Sequence, residues 1–195
     1  MREILFRGFT PDENGKDKAF VNGEWIKGQW VQGSYWELDK TTYCFKEDYE
    51  RDPGNTEHYI VFDQMTDWGL PNRHLQADVL PETVGQYAGL TDKNGKKIFE
   101  GDILRYFVWG SFECFAVVRI GEYEQDGSGN EYPAIKVCGV YAEVKRYCPL
   151  IKEDKDCFPE YLKKSSLLEI GKDIFELVGN IYNNPELLKG EEENA

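Results

Sequence analysis

Histidine is nearly absent from this chain: His58 and His74 are the only two in 195 residues. The five cysteines, Cys44, Cys114, Cys138, Cys148 and Cys157, show no C-x-x-C spacing. Zinc sites draw on Cys and His at short, regular intervals, so no metal-binding residue and no cofactor is assigned. An odd cysteine count without an export signal reads as reduced thiols in a cytosol.

Positive charge is also scarce. There are 23 Lys and Arg against 36 Asp and Glu, a net charge of −13. Affinity for a phosphate backbone comes from Lys and Arg, so this balance disfavours nucleic acid as a partner. An acidic surface that meets a basic protein, or imitates DNA, is the alternative. No run approaches ~18 consecutive apolar residues, so no membrane span is expected. Strand-like residues, not a long apolar segment, follow Met1-Arg2-Glu3, and no signal peptide is read.

What the chain does have is aromatic residues, 14% of the total, with 5 Trp and 12 Tyr. That load suits β-sheets and interfaces. Phe20-Val21-Asn22-Gly23-Glu24-Trp25-Ile26 predicts a hairpin around Asn-Gly. Strands are predicted at Ile4–Phe6, Gln29–Gln32 continuing through Tyr35-Trp36, Thr41–Phe45, Tyr59–Phe62 and Leu75–Val79. Glu47–Glu57 and Thr66–Arg73 read as loops, the first around Asp52-Pro53-Gly54-Asn55. Further on, strands are predicted at Phe115–Ile120, Ala134–Tyr141 and Ile174–Tyr182. Gln125–Glu131 reads as a flexible tip, Pro159–Leu168 as a short helix, and Asn184–Leu188 as one capped helical turn.

Leu80–Tyr106 organises the rest. Thr83–Tyr87 predicts a strand, Asp92-Lys93-Asn94-Gly95-Lys96 a tight turn, Glu100-Gly101-Asp102 a second break, and Ile103–Val108 a buried strand. The run Pro81–Tyr87 with Gly89-Leu90, then Asp92–Lys96, then Ile98–Ile103, resembles the signature of the YopX family of phage and prophage proteins. A second matching block is Val178–Leu188. A looser third is Arg2–Arg7 with Gly28–Ser34. The resemblance implies an SH3-like β-barrel in the C-terminal part, a smaller N-terminal part associated with oligomerisation, a phage-derived origin in a bacterial cytoplasm, and no known catalytic residue.

The expected fold is therefore mainly β with little helix. Residues 1–75 form an N-terminal β-rich association subdomain, 76–190 the SH3-like barrel, and 191–195 a disordered acidic tail. Candidate chemistry is thin. Glu100 and Asp102 form a carboxylate pair that could divide acid and base roles, but an Asp at a strand start more simply bonds nearby backbone N–H groups. Asp126–Asn130 has the first spacings of a calcium loop, yet Glu131 replaces the required Gly and Val137 the closing Glu. No catalytic residue is assigned. Trp25, Trp30, Tyr35 and Trp36 are the partner-binding candidates, set against a role in core or interface. The expected function is a non-catalytic binding and assembly protein that self-associates, with a phage or host protein as a further partner. The alternative is a nucleic-acid-related role, by direct binding through the barrel or by acidic DNA mimicry.

Overall fold

The computed structural model describes residues 4–39, 45–51, 56–125, 133–150, 158–159, 162–171 and 174–189. The chain is mainly β and separates into two compact units, Ile4–Gly85 and the portion from Gln86 onwards. The sequence placed this division after residue 75. The strand Pro71–Asp78 stays with the first unit because it pairs along its length with the strand before it. The expected tail, 191–195, lies outside the described residues.

The first unit is an antiparallel sheet built on one long strand. β1 (Phe6–Pro11), β2 (Asp17–Val21) and β4 (Thr56–Met65) all pair with β3 (Glu24–Asp39), and β5 (Pro71–Asp78) pairs with β4. Asn22 and Gly23 both have positive φ, 52° and 91°, between paired residues Val21 and Glu24. This is the two-residue hairpin that Asn-Gly favours. The strand expected at Ile4–Phe6 runs later, because Phe9, fully buried, is the residue that anchors it. Part of the loop expected over Glu47–Glu57 is instead a short helix, α1 (Lys46–Arg51). Its acidic first turn and basic last turn suit the helix dipole, and Lys46–Glu50 and Arg51–Asp48 close it at 3.1 and 3.5 Å. Thr41–Cys44 and Asp52–Asn55 lie outside the described residues.

Thr83 is not in a strand. Pro81–Thr83 forms a 3-10 turn, because the buried Thr83 hydroxyl donates to the Leu80 carbonyl at 2.6 Å and accepts from the Phe9 N–H at 2.9 Å. β6 (Gly85–Thr91) follows, and pairs with β7 (Lys97–Phe99).

The second unit centres on β8 (Asp102–Val108), β9 (Phe112–Gln125), β10 (Ile135–Pro149), β11 (Lys164–Ser166) and β12 (Glu176–Asn180), in the order β11-β10-β9-β8-β12. The β9–β10 hairpin extends well beyond the predicted strands, paired from Phe112–Pro149 to Gln125–Ile135 with one register shift between Val144 and Arg146. One side of β8 and β9 carries Leu104, Tyr106, Cys114, Ala116 and Val118 into a core with Ala142, Leu167 and Phe175. The other side buries Ile103, Phe115 and Val117, where Arg146 lies 4.9 Å over the Phe115 ring and reaches the Leu187 carbonyl at 3.3 Å. Burial on both faces explains the near-continuous apolar runs of these strands.

Two expectations change here. The predicted helix over Pro159–Leu168 is not formed across its described part. Ser165 and Ser166 are drawn into β11, opposite Ala142 and Tyr141; Leu162 closes a 3-10 turn on the Pro159 carbonyl at 3.1 Å, and the α-helical part is α2 (Leu167–Ile170). The SH3-like barrel is also not closed: among the described residues the five strands run from edge to edge, with no pairing between β11 and β12.

Candidate functional site

The signature residues of the central stretch hold the second unit together. Asp92 is buried, and its Oδ1 accepts the N–H groups of Asn94 and Lys96, both at 2.9 Å. Its Oδ2 accepts the Leu177 N–H at 3.1 Å and the Asn94 side-chain amide at 3.3 Å. Burial works to raise the Asp92 carboxyl, but these donors outweigh it and hold it below its ordinary value. Beside it, Lys93 N–H donates to the Phe175 carbonyl, and Ile181 N–H to the Gly101 carbonyl. Asn180 Oδ1 accepts from Tyr182 and Asn183 N–H at 3.0 and 2.8 Å, turning the chain after β12.

Glu100 and Asp102 do not converge. Asp102, almost fully buried, uses Oδ2 to accept the Phe99 N–H at 2.8 Å, while Glu100 reaches the Ile120 N–H at 3.4 Å. This is the capping role of an acid at a strand start. The loop Asp126–Asn130 lies outside the described residues. Among the described residues no three His, Cys, Asp or Glu gather as a metal site. Several cations are already paired: Lys93 with Glu176 at 2.8 Å, Arg105 with Glu113 at 2.5 Å, and Arg119 and Lys145 with Glu143 at 3.3 and 2.9 Å. Lys93 holds Glu176 below its ordinary value. Burial opposes the same effect at Glu143, where Lys145 and Arg119 prevail.

The four aromatic candidates all lie on β3 and serve different neighbours. Trp25 faces Phe20 across the hairpin with ring centres 5.4 Å apart, and is 54% exposed. Trp30 packs edge-on against buried Phe9 at 5.3 Å, under the Arg7 guanidinium at 4.6 Å. Tyr35 packs against Phe6, and its hydroxyl lies 2.7 Å from Glu37 and 2.6 Å from His58 Nδ1. Burial and the Glu37 carboxylate push this phenol up to about 12. Trp36, 56% exposed, edges a concavity of about 580 Å³ with Leu5, Val61, Asp63 and His74.

Sequence reading missed the sheet around these side chains. Opposite residues of an antiparallel pair share a face. One face of β3–β4–β5 therefore carries Tyr35, Ile60, Phe62, Leu75 and Ala77, and the other carries Trp36, Tyr59 and Val61. Of all these only Ile60 is buried. The alternation was visible at Leu75–Val79, but nothing local showed that the face of Ile60 would be only partly covered, with Tyr35, Phe62, Leu75 and Ala77 half-buried. The second unit has its own concavity, about 740 Å³, walled by Leu90, Ile120, Tyr123, Val140 and Leu168, with no charged residue among the described residues that line it.

These features define a two-unit, mainly β protein whose signature carboxylates hold turns and whose long strand β3 exposes Trp25 and Trp36. Residues 22–132 match the family model described as YopX protein, more than half of the chain, and the chain belongs to the YopX family. The crystal structure of protein EF1440 from Enterococcus faecalis aligns over 97% of this chain and 100% of that chain, at 18% identity and a TM-score of 0.34. No curated protein matches the chain. Among the described residues no helix is long and apolar enough to cross a membrane.

Proposed function

We propose that this is a phage-derived, non-catalytic binding and assembly protein of the bacterial cytoplasm, whose first partner is a second copy of itself. In this reading the first unit carries association and the second supplies the SH3-like scaffold. The observation that supports it most is the β3–β4–β5 sheet, where Tyr35, Phe62, Leu75, Ala77, Trp36, Tyr59 and Val61 stay exposed or half-exposed on its two faces while Ile60 is buried. Small sheets need a covered face or further strands to be stable, and such exposed patches mark interaction sites. The use of Glu100 and Asp102 to hold two different backbone N–H groups, of Ile120 and Phe99, supports a non-catalytic role. The carboxylate partners of Lys93, Arg105, Arg119 and Lys145 make direct nucleic-acid binding the weaker reading.

The test is sedimentation velocity with multi-angle light scattering over a wide concentration range. A mass that rises above that of one chain supports the proposal. A strict monomer at the highest soluble concentration overturns it.

A further inference from the structure

We propose that the edge of β10 receives an extended peptide of a partner protein, which pairs antiparallel with β10 beyond the end of β11 and sets one large apolar side chain into the adjoining concavity. This goes beyond the self-association reading, which draws on the first unit. β11 covers β10 only opposite Tyr141, Ala142 and Glu143. Val144 N–H donates to the Lys163 carbonyl at 2.8 Å, in step with that register. Backbone groups alternate sides along an antiparallel strand. Val144 and Ala142 therefore turn theirs toward β11, and Val140, Cys138 and Lys136 continue on the same side. Leu167, buried in the core, begins α2 here, and β11 goes no further. Among the described residues no strand pairs with β10 on that side before Tyr141, and no backbone group meets those of Cys138 or Lys136 there.

The concavity of about 740 Å³ opens along this edge, with Cys138 and Val140 on its β10 side and Leu90 and Leu168 on its walls. Cys138 and Val140 share the face of Ala142, which is part of the core. Past Ala142 that face comes into the open: Val140 is half-buried, Cys138 is exposed, and Leu168 shows 77% of its surface. A peptide residue opposite Cys138 turns its side chain to the same face, into the concavity. The described lining carries no charge, so an apolar side chain fits there. Two residues further the peptide meets Lys136, which is exposed and stands opposite Glu124 of β9. An Asp or Glu at that position extends the row to carboxylate, ammonium, carboxylate, the favourable cross-strand arrangement. No proline interrupts β10 here, its register shift lies away from this edge, at Val144 and Arg146, and its lysine stands outside the concavity. The partner segment is therefore an extended one in which a large apolar residue is followed, two positions on, by an acid. Backbone pairing supplies affinity and the concavity supplies choice of side chain, as in other cases of strand addition.

The experiment titrates the full-length, nitrogen-15-labelled chain with the peptide acetyl-Thr-Phe-Thr-Glu-Thr-Ser-amide and follows amide shifts by NMR. Saturating shifts centred on the amides of Lys136 to Val140 and of Leu168 are expected. Methylating the Phe backbone nitrogen, which removes a donor to β10 and leaves the ring, is expected to weaken binding about tenfold. Lys136→Glu, a change at an exposed side chain, is expected to reverse the charge preference: the Glu peptide binds about threefold more weakly and a Lys peptide gains by a similar factor. Absence of saturation by about 5 mM peptide, or shifts confined to the β3 region, overturns the proposal. Equal binding of the methylated peptide also overturns it, because the concavity then takes an apolar side chain without strand pairing. An unchanged charge preference in Lys136→Glu overturns the antiparallel register and the acidic partner with it. None of these readings depends on the mass of the assembled chain, so each is separable from the self-association test.

Discussion

Asp92 and Leu177 are 85 positions apart in the chain, yet the Asp92 carboxylate accepts the Leu177 N–H at 3.1 Å. One oxygen closes the Asp92–Lys96 turn and the other holds β12. The central stretch Leu80–Tyr106 and β12 are thus halves of one hydrogen-bonded joint. Gly101, whose carbonyl receives the Ile181 N–H, completes it.

That joint makes stability depend on acid. Asp92 sits below its ordinary value in the folded chain, so its contribution is fully present above the unfolded carboxyl value of ~3.9 and is lost as pH falls through the folded one. Asp92→Asn, with a buried acceptor reduced to one neutral oxygen, is expected to cost about 1.5–3 kcal/mol near pH 7. Its stability should also fall less steeply than that of the wild type on acidification below pH ~4. Urea unfolding of both proteins across that range reads the difference. Parallel pH profiles would show that Asp92 is not the group responsible.

Close approach along β3 sets a second expectation. A Cβ on Gly33 would lie on the Val61 carbonyl and 3.0 Å from Ile60, and one on Gly28 would meet the Thr10 carbonyl and the Phe9 ring. These are backbone atoms and buried rings that cannot give way. Gly33→Ala and Gly28→Ala are each expected to destabilise by about 1–3 kcal/mol or more. Gly139→Ala, where an added Cβ has open space, should stay within about 0.5 kcal/mol. Thermal unfolding of the three variants tests the contrast.

How far this was legible follows from where the forces act. Local chemistry gave the Asn22-Gly23 hairpin, the Asp92–Lys96 turn, the capping role of Asp102 and the buried strands β8 and β9. Each depends on residues close in sequence or on an apolar run. The misreadings at Thr83 and at Ser165 and Ser166 share a cause, a distant partner. Thr83 looks like a strand residue until Phe9, 74 positions away, claims its hydroxyl. Ser165 and Ser166 suit a helix until β10 recruits them as an edge strand. The four aromatic candidates carried no local signal to separate Trp30, under Arg7 and against Phe9, from Trp36 in the open.

Cysteine reactivity should divide the same way. Burial pushes the Cys114 thiol up to about 12, with Cys148 and Glu113 adding to it, whereas Cys138 is exposed. The thiolate is the reactive form. A maleimide at neutral pH should therefore modify Cys138 in the folded protein and Cys114 only after denaturation, read by peptide mass spectrometry. Equal labelling of both in the folded state would show that the β8–β9 core is open to solvent.

The aromatic residues of β3 give the last prediction, because two of them side by side in sequence logic have opposite structural roles. Trp30 packs edge-on against Phe9, which is fully buried, and its ring face carries the Arg7 guanidinium. Arg7 is itself 9% exposed, so removing the ring leaves a charge in a poorly solvated place. Trp30 is half-buried, and Trp30→Ser is expected to cost about 1–3 kcal/mol, below the range for truncating a fully buried aromatic residue. Trp36 shows 56% of its surface at the edge of an open concavity. Trp36→Ser should change stability by no more than about 0.5 kcal/mol. Denaturant titrations of the two variants at a concentration where the wild type is a single species give the comparison. A large loss for Trp36→Ser in the monomer would mean that this ring belongs to the core of its own chain, and the binding candidates on β3 would narrow to Trp25.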